Sequence, residues 1–389
     1  MKHRERFHAT MHYEARDRVP LIDFGFWDET LDVWHEQGLP AYVDRTNIHD
    51  YLGMDYDFSQ VTFATGTDAG LVPPFEEQVL EDRGEQEVVQ QADGVRVLRS
   101  KRMGSIPQHL GHLLVDRESW EKHYKPRLDP AHPDRMPPDL ATRVETWADP
   151  EHDEITVPWV GGLYGWLRDW MGLEKISLVM YEDPAWFDEM IGTVADCIIG
   201  TLDRLLGTGA KVDGCALWED MCYKGGPLMS PKKFKQHIVP HYQRITALLR
   251  DYGVDTIWVD SDGKIDLLIP HWLDSGINCV LPLEVGTWKT DPIEYRQRYG
   301  KELRMFGGFD KRILAGNKDS IEREVHRLTP LVEEGGYIPF CDHLVPPDVT
   351  FENYLFYLEL ARTIWCKSIE LHPQGLARPS TGGDIPQVD

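Results

Sequence analysis

The chain has 389 residues, 41% of them hydrophobic, and a formal net charge of −24 from 65 acidic against 41 basic side chains. That length supports one large core or two smaller ones. An acidic balance argues against nucleic acid or an anionic membrane as partner, since both favour a basic patch.

No apolar run reaches the roughly 18 residues that a membrane span needs. The opening MKHRERFHATMHYEARDRVP is charged and lacks the apolar stretch of a secretory signal. Cys197, Cys215, Cys222, Cys279, Cys341 and Cys366 form no C-x-x-C pair. They read as reduced thiols of a cytoplasmic protein.

RVPLIDFGFWDETLDVWHEQG predicts a strand, a turn and a helix beginning near Asp28. EQEVVQQADGVRVLRSK alternates on both sides of Asp93-Gly94, a hairpin signal. RLDPAHPDRMPPD carries four prolines and reads as a surface connection. From residue 155 strands and helices alternate. ITVPWVGG, VDGCALWED, VDTIWVD, INCVLPL, LRMFGG and GYIPFC are strands, each followed by a helical segment. LRDWMGLEKISLVMY reads as one helix. SPKKFKQHIVPHYQRITALLRDYG reads as another, with Ser230 as N-cap and Pro231 in its first turn. Serial strand–helix units demand a parallel sheet. No phosphate-loop glycine pattern follows a strand, which disfavours a nucleotide-binding open sheet. The expected fold is therefore an α/β TIM-type (β/α)8 barrel over residues 1–366. It carries an inserted β-hairpin region at about 70–140, and a tail at 367–389 whose Pro, Gly and Ser content favours disorder.

Functional groups of such a barrel collect at the carboxyl ends of its strands. Those ends carry Asp23, Tyr164, Glu219 with Asp220, Asp260 with Asp262, Glu284, Asp310, and Cys341 with Asp342 and His343. Residues two apart on a strand share a side, so Asp260 and Asp262 can face one mouth together. Their repulsion would be relieved by a divalent cation, with His343 as a third ligand and Glu219 or Glu284 as a fourth. The alternative is that these acids cap the following helices, since DSDG also reads as an N-cap turn. Tyr164 could donate to an anionic substrate or simply pack. Trp159, Trp166, Trp170 and Trp218 could form an aromatic wall or belong to the core.

FGGFDKRILAGNKDSIEREVHRLTPLVEEGGYIPFCDHLVPPDVTFENYLFYLELAR resembles the closing section of the uroporphyrinogen decarboxylase superfamily. RERFHATMHYEARDRVPLIDF resembles its opening, and EDMCYKGGPLMSPKKFKQHIVPHYQRI its middle. The resemblance implies a TIM-type barrel and a homodimer. True decarboxylases of the superfamily carry an arginine-rich M-R-Q-A-G-R-Y stretch after the first strand. This chain has DFGFWDET there, and such an acidic mouth would repel a polycarboxylate tetrapyrrole. The resemblance is closer to the corrinoid-dependent methyltransferase and O-demethylase branch, whose zinc ligands fall on Asp260, Asp262 and His343 of this chain. Oxygen ligands in place of thiolates make the metal harder and suit it to polarising an ether or hydroxyl oxygen. The implied activity is transfer of a methyl group from a small substrate, such as an aromatic methyl ether or a methylamine, to a corrinoid carried by a separate protein. Trp27, Tyr164, Trp218 and Glu284 would shape the substrate pocket, and Tyr164, His343 and Glu219 would serve the chemistry. No D-x-H-x-x-G cobalamin pattern lies in the chain. The alternatives are a cofactor-independent decarboxylase of a smaller acid, with His343 and Tyr164 delivering protons, and a barrel without catalytic activity.

Overall fold

The computed structural model describes residues 1–101 and 107–366; the tail expected at 367–389 lies outside the described residues. Five strands, Cys215–Trp218, Ile257–Asp260, Cys279–Leu283, Arg304–Gly307 and Tyr337–Ile338, pair in parallel in chain order. Their residues are almost all buried, as a parallel sheet covered on both faces requires.

Isolated bridges carry the arc further. Trp159 pairs with Ala216 on one side, and Phe26 pairs with Val345 beyond the last strand. The Asp55 amide then donates to the Leu21 carbonyl at 2.8 Å. The first apolar segment of the chain thus lies beside the last strand, as a barrel requires and an open sheet does not. The strands expected near residues 20 and 155 shrink to single bridges. Pro20 and Pro158 stand in those segments, and a proline has no N–H to give to a ladder.

Between strands the sequence caps its helices as it should. Asp183 accepts from the Trp186 amide at the start of the helix Pro184–Leu206. Ser230 caps Pro231–His237, and Asn317 and Thr350 cap Lys318–Glu334 and Phe351–Trp365. Two segments expected as single helices are broken. Gly172 separates Leu163–Met171 from Leu173–Glu182. Ile238 separates Pro231–His237 from Val239–Asp251, where Pro240 withholds a helical donor.

A separate antiparallel sheet, Gln78–Asp82, Gln86–Gln90, Arg96–Ser100 and Gln108–Gly111, brings His109 and its turn residue Asp93 to cavities at the strand ends. The Tyr124 hydroxyl ties its Asp93-Gly94 turn down by donating to the Asp93 carbonyl at 3.0 Å. Arg135 is fully buried. It donates to the carbonyls of Asp129, Asp68, Gly70 and Arg127 at 2.6–2.9 Å, fastening the proline-rich connection to the segment that leads into the sheet. All six cysteines are buried and unpaired. Among the described residues no helix is long and apolar enough to cross a membrane.

Candidate functional site

The strand Ile257–Asp260 ends beside Cys215–Trp218, with Trp218 in register with Asp260. The pairing continues past the strand as the Glu219 amide donates to the Asp260 carbonyl at 2.8 Å. Along DSDG the residues alternate. Asp260 and Asp262 turn toward the mouth, while buried Ser261 turns away and accepts from the Met221 amide. Asp220 joins them from the neighbouring strand. One oxygen each of Asp220, Asp260 and Asp262 lies within 4.8 Å of the others, a spacing that could hold a metal ion.

Three carboxylates this close repel one another. Burial pushes Asp220 up to about 6, with the Asp262 charge adding to it. Asp260 stands well above the usual carboxylate range because it is buried and faces both Asp220 and Asp262. Asp220 also holds a left-handed backbone, with φ at +43°. Aspartate tolerates that region better than most residues, because its short polar side chain can bond locally. Here Asp220 Oδ1 accepts from the Asp262 amide at 3.1 Å.

His343 does not complete the trio. Its Nε2 lies 3.3 Å from Asp262 Oδ2, and it is not among the grouped ligand atoms. Its ring stacks on Trp27 at 6.1 Å and meets the edge of Phe24 at 5.7 Å. Burial lowers its pKa, but the bond to Asp262 and the charge of that carboxylate outweigh it, leaving the imidazole above its ordinary value. Of the expected set Asp260, Asp262 and His343, the structure groups Asp260 and Asp262 with Asp220, while His343 contacts Asp262 alone among them.

Glu219, expected as a ligand or a catalytic group, lies outside the trio. It is fully buried and accepts from the amides of Leu163, Tyr164 and Gly165 at the start of Leu163–Met171, and from the Tyr242 hydroxyl. Both oxygens are taken by donors, so it anchors a helix N-terminus. Gly162 and Gly165 permit this approach. A Cβ at Gly162 would lie 1.7 Å from the Trp218 carbonyl, and one at Gly165 would lie 2.7 Å from the Glu219 carbonyl. Tyr164, expected either to donate to a substrate or to pack, lies in the same helix and is fully buried in the core.

Glu284 is one step removed. It accepts from the Gly263 amide at 2.9 Å, from Trp288 Nε1 at 2.7 Å and from Lys311 Nζ at 3.2 Å. It therefore pins the loop that carries Asp262. Lys311 also approaches buried Asp342 at 3.8 Å. Beside the trio lies a cavity of about 510 Å³ lined by His109, Arg168, Asp169, Tyr223, Asp220 and Asp262, among others. Trp218 stands at its edge with the Arg168 guanidinium 5.3 Å over its ring. The place of Asp220 in the cluster is hidden in the sequence because Glu219-Asp220 is a pair of acids at one strand end. Only the backbone turn decides which of them faces the mouth.

Fold and site together define a parallel α/β barrel with a carboxylate cluster at the carboxyl ends of its strands. The family model for uroporphyrinogen decarboxylase (URO-D) matches residues 169–364, half of the chain, and the protein belongs to that family. It is 22% identical over 192 residues to the uroporphyrinogen decarboxylase of Synechocystis, covering 49% of this chain and 51% of that one. It is 22% identical over 247 residues to that of Nostoc punctiforme, covering 61% and 67%. The chain thus spans about half to two thirds of these relatives. In fold it is similar to a methyltransferase from Methanosarcina mazei, with a TM-score of 0.53 at 15% identity, over 93% of this chain and 98% of the other.

Proposed function

We propose that this protein is a cytoplasmic methyltransferase or demethylase. It would take a methyl group from a small methylated substrate, such as an aromatic methyl ether or a methylamine, and pass it to a corrinoid protein. The observation that carries the reading is the Asp220, Asp260 and Asp262 trio at the strand ends. Its donors are all oxygen, and two of its members are held back from ionising by burial and by one another. A divalent cation such as zinc fits that need, because it neutralises the repulsion and accepts carboxylate oxygens. When bound, it would supply a Lewis acid that polarises the leaving heteroatom.

The chain's own residues then have separate tasks. Asp220, Asp260 and Asp262 would hold the ion. His343, fixed in plane by Trp27 and Phe24, orients Asp262. Glu284 holds the Gly263 amide, and Glu219 holds the helix that carries Arg168 into the cavity wall. Trp218 and the other strand-end tryptophans border the substrate. A homodimer belongs to the same reading.

A second reading, decarboxylation of a smaller acid without a cofactor, is favoured by the likeness to uroporphyrinogen decarboxylases and by His343 at 3.3 Å from Asp262, which lines the cavity. Elemental analysis of the purified protein separates the two. The methyl-transfer reading expects about one divalent ion per chain. Asp262→Ala should lose it, and His343→Ala should bind it about 10–100-fold more weakly. No metal after reconstitution in any sample would leave decarboxylation as the working reading.

A further inference from the structure

Resting on the methyl-transfer reading, we infer that the substrate enters as a quaternary or tertiary methylammonium, received by a tryptophan-and-aspartate cage beside the carboxylate trio. Trp159, Trp166, Trp170 and Trp218 line one cavity of about 280 Å³ together with Asp93 and Asp169. A second hollow of about 200 Å³ continues it and shares Trp159, Trp166, Trp170 and Asp93. The rings stand at different angles. Trp159 meets Trp166 edge-on at 6.0 Å and 68°, while Trp166 lies nearly parallel to Trp170 at 5.7 Å and 15°. Trp166 and Trp170 are buried behind this corner, so the partly exposed rings of Trp159 and Trp218 are the ones that meet a guest, and ring faces attract cations.

The position is built rather than incidental. Gly161 has φ at +67°, and a Cβ there would sit 1.9 Å from the Trp166 ring. Only glycine lets Trp166 lie where it does. The fourth wall comes from the inserted sheet, whose Asp93-Gly94 turn is held over the strand ends by Tyr124.

The charges select the guest. Asp93 accepts from the Val95 amide, and the cationic side chain that acts on it among the described residues is His109, at a distance and without a hydrogen bond between them. Burial pushes its pKa up, and the charge of Asp169 adds to the effect. Asp169 is paired with Arg168 at 3.0 Å. That guanidinium already lies over the Trp218 ring, so one cation of the chain itself uses the wall. A neutral methyl ether would leave the Asp93 carboxylate facing an apolar guest, which disfavours it. A methylammonium satisfies both the rings and the acid. Asp169 also borders the cavity that holds Asp220 and Asp262, so a guest in the cage lies next to the trio.

The test titrates the full chain with choline and with its neutral isostere, in which a tert-butyl group replaces the trimethylammonium. Tryptophan fluorescence and calorimetry report binding. Choline should saturate the site at least about tenfold more tightly than the isostere. Trp159→Leu and Asp93→Asn should each weaken choline about tenfold while keeping the metal content of the parent. Equal binding of the two probes, or choline binding unchanged in both variants, would overturn the cage. Metal content is read on the same samples. Choline selectivity without metal upholds the cage and sinks the methyl-transfer reading; metal without choline selectivity does the reverse.

Discussion

Asp220→Asn should stabilise the metal-free protein at alkaline pH and leave it unchanged in acid. The side chain's pKa rises from an ordinary 3.8 to about 6 in the fold. Between those values the native state binds more protons than the unfolded chain, so stability falls as pH rises through that window and is flat above it. The gap is worth about 3 kcal/mol. Asparagine tolerates the left-handed backbone at this position, and its carbonyl can still accept the Asp262 amide. The substitution therefore removes charge and little else. Urea unfolding in chelator should give the variant up to about 3 kcal/mol over the parent near pH 8, and no difference near pH 4. With excess divalent cation the order should reverse, because ligation stabilises only the parent. An equal change at both pH values, or a loss near pH 8, would refute the claim that the trio is a strained, cation-seeking cluster.

Glu219→Ala leaves three backbone amides and the Tyr242 hydroxyl buried without an acceptor. It should cost about 3–5 kcal/mol in denaturant unfolding, and a change under about 1 kcal/mol would show that the helix does not depend on it. Asp23 is buried under the Tyr354 hydroxyl at 2.7 Å, and its pKa is pushed up to about 7 by that burial. Stability should therefore fall from about pH 4 to about pH 7, and Asp23→Asn should flatten that slope in a pH series of melting curves. Gly162→Ala drives a methyl into the Trp218 carbonyl and should lower stability by about 3 kcal/mol or more; a melting temperature matching the parent's would count against that close approach.

The alternation of strands and helices was legible from residue 155 onward because each strand is a short apolar run closed by acids or glycine. The two segments with internal proline, around Pro20 and Pro158, kept their place in the barrel but not their ladders. Asp260 and Asp262 could be paired from spacing alone, since alternation on a strand is local. Asp220 could not, because its side depends on a left-handed turn and on register with the neighbouring strand. The burial of Glu219 was equally hidden. Its partners Leu163, Tyr164 and Gly165 lie more than fifty residues away, and only the glycines of VGGLYG hint at the approach. Tyr164 looked like a mouth residue because it follows a strand end, yet the helix that starts there turns it inward.

The buried Arg135 has a consequence for how anything reaches the mouth. One guanidinium binds four main-chain oxygens drawn from both ends of the excursion that contains the antiparallel sheet. Arg204, on the long helix Pro184–Leu206, takes two more from the same connection, at Pro130 and His132. Those six bonds fix both ends of the excursion to each other and to the long helix, and breaking any of them would strand a polar group. The roof over the tryptophans therefore stands on a fastened base. Tyr223 and Leu228 line the cavity of Asp220 and Asp262 together with His109 of that sheet, so the mouth has its shape before any guest arrives.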